Sequence, residues 1–188
     1  MTPSLAFGTT PLAGLMTVRR EPAVDQRGFF ERLFFAEQCA AIGLLKPIVQ
    51  INHSLTRDRG TVRGMHFQHP PYAEAKLVTC LRGEVFDVAV DIRRGSPTFL
   101  HWHGEVLSES NHASLYIPEG FAHGFQALTE NCELLYLHTA AYAARAEGAL
   151  HVQDPAIRIA WPLPITDISE RDRTHPTLES SFAGIVLA

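Results

Sequence analysis

Val85-Phe86-Asp87-Val88-Ala89-Val90-Asp91-Ile92 is the stretch on which the fold turns. Phe86, Val88, Val90 and Ile92 fall on one face of an extended strand, and Val85, Asp87, Ala89 and Asp91 on the other. Just before it, Arg82-Gly83 reads as a turn and 76–81 as the hairpin partner. Working outward, further strands are expected over 28–35, 47–55, 62–68, 100–107, 113–117, 121–128 and 132–139. One short helix fits 36–44, ending near Gly43. From Tyr142 onward the chain is irregular, rich in Pro, Asp and Arg, and is expected to wrap over the body. About nine strands with turns at short intervals argue for an all-β sandwich or barrel. Strands do not alternate with long helices, which disfavours a doubly wound α/β sheet.

The 188 residues suit one domain, 1–188, with a single sizeable core. With 46% hydrophobic and 19% charged residues the composition is globular. A net charge of −4 supplies no basic field for nucleic acid or an acidic membrane. No apolar run reaches the ~18 residues of a membrane span. Met1 to Gly14 lacks a basic start followed by an apolar stretch. Cys39, Cys80 and Cys132 are odd in number and have no C-x-x-C spacing, so buried reduced thiols in a cytoplasmic protein are expected. Glycine-rich dinucleotide and P-loop fingerprints and the G-x-S-x-G elbow are absent from the sequence.

Ten histidines set against three cysteines are the unusual feature, since histidine serves both proton transfer and metal binding. His66 lies in Arg63-Gly64-Met65-His66-Phe67-Gln68, on an otherwise apolar and glycine strand. A lone strand histidine is more often a satisfied core residue. Here Lys76 opens the next strand, His123 lies in Pro118-Glu119-Gly120-Phe121-Ala122-His123-Gly124, and Tyr136 sits in the apolar run 134–137. A base candidate, a cation and a phenol on separate strands could line a barrel mouth.

These residues carry a resemblance. In order, the chain presents Asp25-Gln26-Arg27-Gly28-Phe29-Phe30-Glu31, Gln50-Ile51-Asn52-His53-Ser54, the His66 motif and Lys76-Leu77-Val78. Then come Gly83 through Arg93, Ser96-Pro97-Thr98-Phe99, Ile117 through Phe125, Tyr136, Asp154-Pro155, Trp161-Pro162 and Ser169-Glu170-Arg171-Asp172. From about Leu15 to Asp172 the set resembles the dTDP-4-dehydrorhamnose 3,5-epimerase family of cupin-fold sugar epimerases. The resemblance implies a cupin-type jelly-roll barrel with short peripheral helices, and a homodimer that shares strands or arms. It implies a nucleotide-linked 4-keto-6-deoxyhexose as substrate, with no cofactor and no nucleic-acid or membrane partner.

Residue by residue, His66 matches the family's base, Asp172 the carboxylate that orients it, Tyr136 the acid and Lys76 the group that steadies the enolate oxygen. His123 and Asp87 match a second His–Asp pair beside the pocket. Arg27, Glu31, Gln50, Asn52, Arg63 and Glu147 match residues that hold the diphosphate or the sugar, and Tyr142 an aromatic that packs on the ligand. The implied reaction inverts C3 and C5. The alternatives are inversion at one centre on a related nucleotide sugar, or a non-catalytic or metal-binding cupin.

Four positions depart from the family pattern. Ala141 replaces an aromatic, Arg171 replaces a lysine, and Leu137-His138 stands where a Lys-Thr pair is usual. Period two puts His138 on the face of Tyr136, where it would tune the acid or contact the sugar. The plainer expectation is an ordinary strand-end residue near the mouth. A metal site is not expected. Gln68, not histidine, follows two places after His66, His69 falls on the opposite face, and the pair His101 and His103 has no acidic ligand at the cupin spacing.

Overall fold

The stretch 85–92 forms a strand, Glu84–Asp91, that is buried on both faces. Val85 and Ala89 point into a core with Leu107, Leu115, Phe121, Phe125 and Leu134. Val88, Val90 and Ile92 point the other way, into a second cluster with Leu150, Val152, Ile157 and Ile185. Both faces are buried because two layers cover the strand. One is the opposing sheet and the other is the irregular chain after Tyr142. The expectation that this segment wraps over the body therefore holds. Parallel bridges from Ile168 to Val62 and from Ile185 to Arg93 pin it down.

The computed structural model describes residues 3–187. Its first strands are β1 (Ser4–Thr9), β2 (Met16–Glu21), β3 (Ala23–Asp25) and β4 (Gly28–Phe30), followed by helix α1 (Ala36–Ala40). Then come β5 (Gln50–Thr56), β6 (Val62–Gln68), β7 (Lys76–Arg82), β8 (Glu84–Asp91) and β9 (Trp102–Ser108). β10 (Ala113–Ile117), β11 (Phe121–Ala127), β12 (Cys132–His138), β13 (Glu147–Ala149) and helix α2 (Glu170–Arg173) complete the order. A six-stranded sheet runs β1-β2-β10-β7-β12-β5, and a five-stranded sheet runs β13-β6-β11-β8-β9. The all-β expectation holds, with every named strand pair antiparallel. β3 and β4 form a separate hairpin.

The hairpin expected between 76–81 and 85–92 does not form. β7 pairs with β10 and β12, whereas β8 pairs with β9 and β11. Both edges of β7 are taken, so the chain crosses to the other sheet at Gly83. That glycine has φ +74°, and a Cβ there would stand 2.6 Å from Thr129 Oγ1. The strand expected over 28–35 stops at Phe30, and the helix expected over 36–44 stops at Ala40. The strand expected from 100 starts at Trp102, because Leu100 takes a left-handed φ of 61°. β1, β2, β3, β13 and α2 were not expected from the sequence. They are short, and charged, glycine or threonine residues interrupt their apolar patterns.

Candidate active site

At one end of the two facing sheets a cavity of about 590 Å³ opens between β6 and β11 on one side and β5, β7 and β12 on the other. On the first side the β6 and β11 backbones approach closely. A Cβ on Gly124 would lie 2.7 Å from Arg63 O and 2.9 Å from Gly64 Cα. Glycine at both positions therefore lets the two strands close together beneath the cavity floor. His66 and His123 are direct partners across these strands.

Each of these two histidines is backed by a carboxylate. His66 Nε2 lies 2.8 Å from Asp172 Oδ1, and His123 Nε2 lies 2.8 Å from Asp87 Oδ1. Asp172 comes from α2, whose cap Ser169 accepts a hydrogen bond from the Asp172 N–H. Burial disfavours the Asp172 carboxylate, but the hydrogen bond and charge of His66 and the Gly64 N–H outweigh it and hold the group down at about 2. Arg171 Nη2 also lies 2.8 Å from this Nε2; when the ring carries its proton on Nε2, that proton faces the carboxylate and Nδ1 keeps the lone pair. Asp87 is fully buried on β8, and its Oδ2 has no partner among the described residues.

The opposite side carries Tyr136 on β12. Its hydroxyl lies 3.2 Å from Ser54 Oγ on β5. Burial pushes the phenol well above its usual range, and Ser54 and Arg63 only partly oppose this. It therefore stays protonated near neutrality. Its ring meets His123 edge-on at 6.2 Å and lies along His138 at 6.1 Å with 26° between planes. Lys76 on β7 lines the same side, and its Nζ lies 3.1 Å from Glu74 Oε1. His138 holds the other oxygen of Glu74 at 3.0 Å. Burial works against ionisation of Glu74, yet these two partners bring its carboxyl below the usual range.

Of the residues expected from the sequence, the structure brings His66, Asp172, Lys76, Tyr136, His123, Asn52 and Arg63 to one cavity. Gln50, Tyr142 and Glu147 form a hydrogen-bonded chain at its rim. Gln50 Oε1 accepts from the Tyr142 N–H, and the Tyr142 hydroxyl donates to Glu147. Glu147 binds Arg171, whose Nη2 comes within 2.8 Å of His66 Nε2. Arg27 and Glu31 are not at the cavity of their own chain. Arg27 is exposed on the β3–β4 hairpin and held by Asp25. Glu31 is taken by buried Arg20 at 2.8 Å and by His112 at 3.0 Å.

His138 departs from the expected ordinary strand end, since it is buried and lines the cavity. Ser54, Glu74 and Arg171 were not singled out as site residues from the sequence. Alternation from Asn52 would have placed Ser54 on the cavity face. No local pattern marks Glu74, whose partner His138 is 64 positions away. His101 and His103 lie outside the cavity, and His103 pairs with Glu105.

Comparison with known proteins adds a further layer. The family model described as dTDP-4-dehydrorhamnose 3,5-epimerase matches residues 9–180. An enzyme of that name from Sinorhizobium fredii is 44% identical over 177 residues, 92% of this chain and 89% of its own. A crystal structure of a dTDP-6-deoxy-D-glucose-3,5-epimerase from Legionella pneumophila, in complex with dTDP-4-keto-L-rhamnose, superposes with a TM-score of 0.90. It is 35% identical and covers 98% of this chain and 100% of that one. A 3'-monoepimerase from Streptomyces bikiniensis in complex with dTDP-quinovose gives a TM-score of 0.82 at 31% identity, covering 89% and 85% of the two chains.

Proposed function

From a chain that belongs to the dTDP-4-dehydrorhamnose 3,5-epimerase family, isomerases with the cupin jelly-roll fold, we propose an enzyme that inverts both C3 and C5 of a dTDP-linked 4-keto-6-deoxyhexose. The observation that supports this most is the placement of two proton-handling groups on opposing sheets around one cavity. His66, backed by Asp172, stands on β6, and the buried phenol of Tyr136 stands on β12.

The C4 ketone acidifies the protons on C3 and C5. His66 takes one of them through Nδ1, and Asp172 offsets the charge that the ring gains. The electron pair moves onto O4 as an enolate, and the Lys76 ammonium donates a hydrogen bond to that oxygen. Tyr136 then delivers a proton to the carbon from the opposite face, which inverts the centre. A phenol held protonated by burial suits this donation. Water then takes the proton from His66 and restores that of Tyr136. Arg63 and Asn52 inside the cavity, with Gln50, Tyr142 and Glu147 at its rim, hold the sugar and the diphosphate.

Arg27 joins this set through a homodimer. Val24, Phe29 and Phe30 on the β3–β4 hairpin are exposed, as are Ile51 and Leu55 on β5, an edge strand of the six-stranded sheet. Such apolar surface beside an open strand edge suits association of two copies, with each hairpin bringing Arg27 to the neighbouring cavity. Glu31 then anchors the base of the arm to Arg20. Buried, unpaired thiols at Cys39, Cys80 and Cys132 suit a reducing cytoplasm. Among the described residues no helix is long and apolar enough to cross a membrane.

The likeness to a 3'-monoepimerase keeps inversion of one centre as the second reading. Incubation with dTDP-4-keto-6-deoxyglucose in deuterated water, followed by NMR, separates the two. Deuterium at both C3 and C5 is expected. Label at one carbon only would select the mono-epimerase, and label at neither would overturn both readings.

A further inference from the structure

Glu74, Lys76 and His138 form one cluster in the wall of the cavity beside Tyr136. Lys76 on β7 and His138 on β12 are direct cross-strand partners. Glu74 joins them from just before β7, with Oε1 at 3.1 Å from Lys76 Nζ and Oε2 at 3.0 Å from His138 Nδ1. All three side chains are about nine-tenths buried, with exposures of 10%, 9% and 10% for Glu74, Lys76 and His138. Asn52 Nδ2 approaches His138 Nε2 at 3.3 Å. An amide nitrogen only donates, so Nε2 accepts and the ring proton sits on Nδ1, facing Glu74. The contacts thus fix one tautomer and one orientation.

A carboxylate with both oxygens free would close on a buried ammonium and occupy its donors. Here His138 takes one oxygen, and among the described residues Lys76 is held by the other alone. An ammonium has three N–H donors, so two remain for a ligand in the cavity. We propose that His138 is a positioning residue for Lys76. It acts through Glu74 to keep the ammonium anchored by one contact and directed at the sugar's developing O4 charge. This rests on the reading of Lys76 as the group that receives the enolate oxygen. It makes Glu74-to-His138 a further charge-fixing pair of the site, on the sheet opposite His66 and Asp172.

The test compares wild type, His138→Ala, His138→Asn, Glu74→Ala and the double variant His138→Ala/Glu74→Ala. Deuterium entry into dTDP-4-keto-6-deoxyglucose is measured under saturating and limiting substrate. His138→Ala should lower kcat for exchange roughly tenfold, the scale of losing a hydrogen bond to a charged group, with KM within about twofold. His138→Asn, whose amide N–H can replace Nδ1–H on Glu74, should restore most of the rate. It also stands in where the alanine variant fails to fold. The double variant should be no slower than Glu74→Ala, because the two residues act in series. A loss confined to KM, losses that multiply in the double variant, or no rescue by asparagine would each overturn the proposal.

NMR of ¹⁵N-labelled protein without substrate gives a separate readout. His138 should carry its proton on Nδ1, and His138→Asn should leave the Lys76 ammonium resonance closer to wild type than His138→Ala does. A proton on Nε2, or a lysine signal indifferent to both substitutions, counts against the cluster itself. Absence of any exchange by wild type would instead count against the epimerase reading.

Discussion

The two sheets furnish the cavity with different kinds of group. The five-stranded sheet offers imidazoles, each backed by a carboxylate: His66 with Asp172 and His123 with Asp87. The six-stranded sheet offers the Tyr136 phenol, which burial keeps protonated near neutrality, and Lys76, whose Nζ is held by Glu74. In the proposed reaction, one wall accepts a proton and the other gives one and faces negative charge. The contrast comes from burial and pairing, because no residue of either wall departs from ordinary chemistry. A ring held between the walls meets a different reagent on each face, which is what inversion requires.

His66→Ala breaks the contrast most deeply. It removes the accepting wall and should cut deuterium entry at C3 and C5 by on the order of 10²–10⁴-fold, the usual weight of a general base. Residual exchange within tenfold of wild type would remove His66 from the role of base. Tyr136→Phe leaves the accepting wall intact. It should keep proton abstraction but slow completed inversion by about 10²-fold, so isotope enters faster than product forms. Equal losses in both rates would show that the walls do not divide the work.

A mixture of Arg27→Ala and His66→Ala subunits sharpens the arrangement further. If the β3–β4 arm crosses to a neighbour, one mixed-dimer cavity regains both His66 and Arg27. Activity should then rise above the sum of the separate variants, and a merely additive result would return the arm to its own chain.

Asp172→Asn has the smallest expected effect, on stability. The folded carboxyl lies at about 2, below the ~3.9 of an unfolded aspartate. Its stabilisation is therefore complete above about pH 4 and is lost as the pH falls toward 2. Urea unfolding should show the variant weaker by on the order of 2 kcal/mol near neutrality, with the gap closing near pH 2. A gap independent of pH would separate the loss from this carboxylate's charge.

Legibility in the sequence followed the range of the interaction. The alternation of Val85 to Ile92 correctly gave a strand with two distinct faces, because period two is local. Its pairing was misread, because the true neighbours β9 and β11 are chosen by how two sheets close on each other and not by the turn at Gly83. His138 was placed on the face of Tyr136 by the same period, yet its depth depended on Glu74, 64 residues earlier. His66 and Asp172 are 106 positions apart, so no spacing rule joins them. Only the ordered family resemblance joins them. Arg27 and Glu31 share a motif, but the hairpin places them in different surroundings, one in solvent and one on buried Arg20.

The segment after Tyr142 does two jobs at once. It seals the outer face of the five-stranded sheet through Leu150, Val152, Ile157 and Ile185, and it carries Asp172 to His66. Both sheets, the short strand β13 included, are synthesised before Asp172 emerges. A nascent chain halted ahead of α2 would own most of the cavity wall but lack the partner of its imidazole. Chemical competence thus arrives with the same docking event that hides the last greasy surface.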